Sequence, residues 1–417
     1  MKVAISSGSL EGSIGSVPSK SYAHRALICA ALADETTELG LRSLNADTEA
    51  TIDCLTAIGA DIRRRGDILC VTPPKILPHE AVLCCGESGS TLRFLLPVAA
   101  ALFENSDFSG NGTLPGRPIA ELLTAMRDNG AGFSGSALPF SVKGRLRPGS
   151  YAIPGDISSQ YISGLLMALP LLDGKSEIVL TSPLRAAAYV EITLDMLSKF
   201  GVGAEPTERG FTISGRQAYI SPGWEEIEGD WTSASYFLAA GALGGGVTVR
   251  GLSMKSKQGD RAIVDILKAF GAAVTVLNNS VTVAPGVLRA CRVDIASVPD
   301  LFPILAVLAA NAEGKSVLYN ASALRFKESD RIKSTAAMIN SLGGYAVGDR
   351  GSLEITGKKL RGGEVDSFGD HRIVMSSAIA ALACRGPVFI AGAEAVGKSY
   401  PSFFKNFTFL GGKATMT

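Results

Sequence analysis

Six copies of one phrase constrain how this chain can fold. Each copy is a run of apolar positions at helical spacing that ends on glycine. They are IDCLTAIGA (52–60), LTAMRDNGA (123–131), LDMLSKFGV (194–202), VDILKAFGA (264–272), AAMINSLGG (336–344) and FKNFTFLGG (404–412). The stop glycines Gly59, Gly130, Gly201, Gly271, Gly343 and Gly411 are 71, 71, 70, 72 and 68 residues apart. A period held across a whole chain denotes one supersecondary unit repeated. Glycine just past the last apolar position predicts a helix closed by a left-handed residue, because glycine has no Cβ to clash there.

After each glycine comes a hairpin-like stretch, as in GVGAEPTERGFTISG (201–215) and GAAVTVLNNSVTVAP (271–285), where two alternating runs flank a polar turn. A second helix reads between the phrases, for example in SSQYISGLLMALPLL (158–172) and DLFPILAVLAANA (300–312). These runs are apolar nearly all round, so they predict buried core helices. None is long enough to cross a bilayer. The sixth unit is short, with only GKATMT after Gly411. The N-terminal run KVAISSG resembles the second hairpin strands of the other units, so it is expected to supply the missing strand. The expected fold is α/β (α+β), with two similar domains of three units each. One domain is 1–17 plus 229–417, and the other, 18–228, is inserted in it. The boundary is expected between Gln217 and Gly229, where SPGWEEIEG (221–229) supplies Pro, Gly and acidic residues. A linear solenoid is the alternative, but solenoid periods run only ~20–50 residues.

At 417 residues with 46% hydrophobic content, two sizeable cores can form. A net charge of +1 gives no global field toward nucleic acid or a membrane surface. Anion binding must therefore come from local clusters, and neither nucleic acid nor membrane is an expected partner. Seven scattered cysteines without CxxC spacing predict a reducing, cytoplasmic setting. Lys2 leads into a strand rather than an apolar signal segment. Three histidines with no His/Cys cluster predict no metal site. GAEAVGKS (392–399) satisfies the phosphate-loop pattern, but too little chain follows for the crossover helix and further strands a nucleotide fold needs. Pro401 also interrupts the helix expected there.

Arg, Lys, Ser and Gly recur instead at helix starts and tight loops, where N–H groups and helix dipoles attract anions. PSKSYAHRAL (18–27) places Lys20 and Ser21 at a helix start, with Arg25 about one turn on. CGESGSTLRF (85–94) offers Gly89 for close backbone approach, with Arg93 one turn on. Arg117 lies in a Gly/Pro loop, and Ser158, Ser159 and Gln160 open a helix. LRFKESDRIK (324–333) spaces Lys327, Glu328 and Arg331 as on a helix. FGDHRIVM (368–375) puts Asp370, His371 and Arg372 before a buried helix, and Lys398 follows late. Several local cationic loops on a nearly neutral chain point to a small polyanionic substrate.

In order along the chain, SKSYAHRA, GESGSTLR, RPI after a glycine loop, GDISSQ, EGDWTSASYFLAA, QGD, VPD, RFKESDR, GDHR and KSYPSFF resemble the 5-enolpyruvylshikimate-3-phosphate synthase family over essentially the whole length. The resemblance implies an inside-out α/β barrel in each of two domains, with βαβαββ repeats and the site in the cleft between them. It implies transfer of the enolpyruvyl group of phosphoenolpyruvate to the 5-hydroxyl of shikimate 3-phosphate, without cofactor or metal, by a monomer that is a glyphosate target. By motif, Lys20, Gly89, Arg117, Gln160, Arg331, Arg372 and Lys398 resemble the phosphoenolpyruvate ligands. Lys20, Ser21, Arg25, Ser158, Ser159, Gln160, Ser182, Asp300 and Lys327 resemble the shikimate-phosphate ligands. Asp300 resembles the general base and Glu328 the acid that protonates the methylene carbon, with Lys20 and His371 also in the catalytic set.

The chain departs from the family's usual pattern at Glu87 (Asn), Ser90 (Thr), Phe94 (Pro) and Ala323 (Asn). Glu87 adds an anion beside an anion site, so it is expected to pair with an arginine such as Arg93. The SPLRAAAY stretch (182–189) puts Tyr189 in question as a ligand. A UDP-N-acetylglucosamine enolpyruvyl transferase is the nearest alternative. That family carries a cysteine in the loop matching Gly110–Arg117, and this loop has none. A non-catalytic repeat scaffold would not call for these cations and carboxylates.

Overall fold

The computed structural model describes residues 1–416. The chain divides into two compact units. One comprises Met1–Val17 with Glu228–Thr417, and the other, the inserted unit, is Pro18–Ile227. The second crossing thus lies just before Glu228, one position ahead of the boundary read from the sequence.

The inserted unit holds α1 (Lys20–Leu32), α2 (Ala46–Ala57), α3 (Gly89–Leu102), α4 (Ala120–Arg127), α5 (Ser159–Ala168) and α6 (Ala187–Lys199). The two-ended unit holds α7 (Trp231–Leu243), α8 (Ile263–Phe270), α9 (Phe302–Ala310), α10 (Arg331–Ser341), α11 (His371–Leu382) and α12 (Phe403–Phe409). The odd-numbered helices are buried on nearly every face, and each unit packs its own around one apolar core. Even-numbered helices are the glycine-stopped ones. Helix starts are set by side-chain caps: Ser19, Asn45, Ser88, Ser158, Asp230, Asp330 and Asp370 each accept a first-turn backbone N–H.

Among the described residues the strands form six four-stranded sheets of one topology. In one, Ser150–Ile153 runs parallel to Ser176–Leu180, which pairs antiparallel with Gly210–Ile213, and that strand pairs antiparallel with Glu205–Thr207. Three sheets join segments distant in sequence. Trp224–Glu226 pairs in parallel with Thr37–Gly40. Lys2–Ile5 lies between Val388–Ala391 and Ala414–Met416. The strand Leu10–Gly15 joins the next sheet of the same unit, parallel to Gly245–Arg250. No helix among the described residues is long and apolar enough to cross a membrane.

One local reading changes. Residues 327–330 are not helical, because Asp330 caps α10 by accepting from Lys333 N, so the helix begins only at Arg331. GAEAVGKS folds as a 3-10 turn, Ala393–Lys398, after a left-handed Gly392, and α12 starts beyond Pro401. The Lys-Ser pair therefore does not itself open an α-helix, in line with the sequence reading that this is not a phosphate loop.

Candidate active site

In the inserted unit the first turns of α1, α2 and α3 carry one polar cluster. Lys20 opens α1, and its Nζ lies 2.7 Å from Asp47 Oδ2 in the first turn of α2. Gly89 opens α3. A Cβ built there would stand 2.6 Å from an Arg93 terminal nitrogen and 2.9 Å from one of Arg117. Two guanidinium groups therefore converge over a helix N-terminus at a residue without a side chain, a strong setting for an anion. Arg93 donates to Gln160 Oε1 at 2.9 Å and to the Pro118 carbonyl at 2.7 Å, while Gln160 Nε2 donates to Ser90 Oγ at 2.9 Å. Gly89, Arg117 and Gln160, separated in sequence, are thus brought together.

The serines of this unit sit at turns. Ser158 caps α5 by accepting from Gln160 N, and Ser159 is its first residue. Ser182 Oγ donates to Asp156 Oδ1 at 2.5 Å and accepts from Gly155 N at 3.0 Å. Ser21 is half-buried beside Lys20. Arg25 is placed differently from a surface ligand. It is 2% exposed and stacks over Phe94. It donates to Thr193 Oγ1, Ser163 Oγ and the Ser21 and Tyr189 carbonyls. Burial lowers its pKa to about 10, which leaves it charged at neutral pH. Four of the five donors of a guanidinium are already used there, so only one remains for a ligand. Glu87 Oε1 accepts from Thr113 N at 3.0 Å and Thr113 Oγ1 at 2.9 Å, which bonds the extra anion into the loop that carries Arg117.

The two-ended unit builds a second cluster on Arg331, the first residue of α10, 1% exposed. Its Nε donates to Asp370 Oδ2 at 2.9 Å, and its two terminal nitrogens donate to Asp300 Oδ1 at 2.8 Å and Glu328 Oε2 at 2.5 Å. Burial alone would lower its pKa, but the carboxylates of Asp370, Glu328 and Asp300 more than reverse this and raise it. Arg372 reaches the other oxygen of Asp300 at 2.8 Å. Both oxygens of Asp300 are therefore oriented by guanidinium groups. Three carboxylates share the fork of Arg331, so an anion that meets it must compete with them. His371 opens α11 with its ring in the interior and Nδ1 3.8 Å from Asp370 Oδ1. The ring has no exposed surface. Lys327 is half-buried beside Glu328, and Lys398 is 7% exposed at the end of its turn.

Sequence reasoning did not single out Asp47, and it named Arg93 and Asp370 without the partners they bond. Asp370 reads as a helix cap and Asp47 as an ordinary first-turn acid, so neither shows its long-range bond locally. A further omission is Asp260, in QGD. It is 3% exposed, accepts from Thr232 Oγ1, and lies near Asp300 and Arg372. Burial first, then the charge of Asp300, raises its pKa to about 7.

Repeated βαβαββ sheets, with charged residues gathered at the helix starts, define an enolpyruvyl transferase fold. The structure is similar to NikO, an enolpyruvyl transferase from Streptomyces tendae (TM-score 0.81, 18% identity, 99% of this chain and 98% of that one), a likeness of fold. It is similar also to EPSP synthase from Acinetobacter baumannii (TM-score 0.83, 25% identity, 100% of both chains). A sequence model of the family EPSP synthase (3-phosphoshikimate 1-carboxyvinyltransferase) matches residues 5–407. The 3-phosphoshikimate 1-carboxyvinyltransferases of Clostridium kluyveri and Clostridium acetobutylicum are 40% and 41% identical over 416 and 412 residues. Those alignments cover 99% and 97% of this chain, and 97% and 96% of the relatives. The chain belongs to the EPSP synthase family.

Proposed function

We propose how this chain's residues carry the reaction of its family. The protein is a transferase that moves the enolpyruvyl group of phosphoenolpyruvate to shikimate 3-phosphate in the shikimate pathway. The 5-hydroxyl oxygen attacks C2 of phosphoenolpyruvate while C3 gains a proton, forming a tetrahedral intermediate. Loss of a proton from C3 and departure of phosphate then give the enol ether. Atoms balance without a redox step, so the chemistry requires anion binding and two positioned proton-transfer groups.

We assign the phosphate and carboxylate oxygens of phosphoenolpyruvate to Lys20, Gly89, Arg117 and Gln160, with Arg372 and Lys398 as further cations. Ser21, Ser158, Ser159, Ser182 and Lys327 are assigned to shikimate 3-phosphate, with Arg25 offering its one remaining donor. Asp300 is assigned as the base for the 5-hydroxyl and Glu328 as the acid toward C3. The observation that carries this division is Arg331, which bonds both carboxylates through separate nitrogens of one rigid fork. Its planarity fixes one carboxylate relative to the other. Arg331 and His371 are assigned as positioning residues. The enzyme acts in the cytoplasm as a monomer on these two small anions.

Phosphate release from phosphoenolpyruvate, measured with each acceptor in turn, tests the reading. Release with shikimate 3-phosphate and none with UDP-N-acetylglucosamine is expected, and the opposite pattern would overturn it. Glu328→Gln is expected to lower kcat by about 10²-fold or more, the usual size of a lost acid–base group, with smaller changes in either KM.

A further inference from the structure

The starts of α1, α2 and α3 carry Lys20, Asp47 and Gly89, and the interior behind them is largely apolar. One polar feature crosses that interior. His24 Nδ1 lies 2.7 Å from Thr51 Oγ1, Thr51 Oγ1 lies 2.7 Å from Thr91 Oγ1, and Thr91 Oγ1 donates to Ser88 Oγ at 2.8 Å. His24 is one turn into α1, Thr51 is one turn past Asp47 in α2, and Thr91 is in the first turn of α3, which Ser88 caps. All four side chains are buried. Thr51 and Thr91 hydroxyls also approach the Asp47 carbonyl, at 3.5 Å and 3.3 Å.

The chain has a direction. His24 Nε2 has no hydrogen-bond partner among the described residues and is buried, with the ring edge-on to Phe94. A buried lone pair left unmet is tolerated better than a buried N–H left unmet. The hydrogen therefore sits on Nδ1, and donation runs from His24 to Thr51, to Thr91 and to Ser88. Bonds aligned head to tail polarise one another and strengthen the series. Burial first, then the positive charges of Lys20 and Arg25, holds the ring neutral.

We propose that His24 is a positioning residue of the anion site: through Thr51, Thr91 and Ser88 it holds the first turn of α3, with Gly89, in register with Lys20 and Asp47. The ligand class it serves is a phosphate or carboxylate anion, and this rests on the assignment of Gly89 and Arg117 to phosphoenolpyruvate. His24 touches no ligand itself. Its effect is on how well the anion is met, so it acts on phosphoenolpyruvate and not on shikimate 3-phosphate.

Steady-state kinetics of the full-length enzyme test this. Thr51→Val and His24→Leu each break the chain and are expected to raise KM for phosphoenolpyruvate about five- to ten-fold, the scale of one buried hydrogen bond. KM for shikimate 3-phosphate stays within two-fold. His24→Asn, which keeps an N–H near the Nδ1 position, restores most of the loss. The double variant is no worse than either single one, because a series already broken cannot be broken again. Folded Thr51→Val and His24→Leu proteins with unchanged KM for phosphoenolpyruvate, or with both KM values rising together, would overturn the proposal. Thr51→Ala serves if the valine variant does not fold. Arg117→Ala separates the two readings. If it leaves KM for phosphoenolpyruvate unchanged, the site assignment fails. If it raises KM while Thr51→Val does not, only the role of His24 fails.

Discussion

At the residue scale, Arg331 shows how a charge is kept in an apolar interior. Its desolvation is met by three carboxylates in hydrogen-bonding geometry, and removing one partner of such a set is far more costly than the set's net contribution. Two bonded cations, Arg331 and Arg372, face three carboxylates, Asp300, Glu328 and Asp370. A fourth, Asp260, stays largely protonated until about pH 7. Its folded-state pKa is above its unfolded value near 3.8, so the folded state binds the extra proton between those values. Stability from this group then falls as pH rises from about 4 to 7 and stays reduced above that, by an amount of the order of a few kcal/mol. Asp260→Asn removes the dependence. In thermal melts, the variant's Tm is expected to gain on the wild type's as pH goes from 5 to 8. An equal difference at both pH values would mean that Asp260 does not titrate in this range. The residues QGD are plain in the sequence, but the pKa depends on Asp300, 40 positions away in the chain, and on burial that only packing creates.

At the element scale, the six stop glycines all have positive φ: 101° at Gly59, 107° at Gly130, 73° at Gly201, 100° at Gly271, 82° at Gly343 and 96° at Gly411. That conformation follows from residue type and position alone, so it was legible in the sequence. At Gly271 an added Cβ would also fall 2.3 Å from the Val287 carbonyl oxygen. Gly271→Ala is expected to lose about 2 kcal/mol or more in denaturant unfolding, from left-handed strain plus the clash. Gly203, which has open space around its Cβ position, is the control, and Gly203→Ala should stay within about 0.5 kcal/mol. Equal losses at the two positions would reject the cap argument. The start of α10 was less legible. The charges of LRFKESDRIK suit a helix by spacing, but an aspartate that caps forces the preceding residues out of it. Glu328 is thereby on a bend beside Arg331, not on the helix itself.

At the scale of the whole molecule, each unit closes on itself with segments far apart in sequence. Trp224–Glu226 completes the sheet begun by Thr37–Gly40, so residues 18–227 contain every strand of their own sheets. Expressed alone, that segment is expected to unfold cooperatively. The two-ended unit needs Lys2–Ile5 between Val388–Ala391 and Ala414–Met416. Residues 228–417 alone lack that central strand and should aggregate or remain unfolded, whereas joining 1–17 to them through a short linker should restore a cooperative transition. Circular dichroism melts of the three proteins decide it, and a folded 228–417 segment would refute the closure argument.

The sequence by itself determined the repeat, the glycine-closed helices, the buried core helices and the residue types available at helix starts. These depend on periodicity, local backbone sterics and capping, which act over a few positions. Tertiary structure decided the rest. It bonded Arg331 to three carboxylates, sank Arg25 and His371 into the interior, and strung His24, Thr51, Thr91 and Ser88 into one polar series. Such partners are chosen by how helices distant in sequence pack together, and no local pattern in the chain encodes which hydroxyl or carboxylate a buried donor will meet.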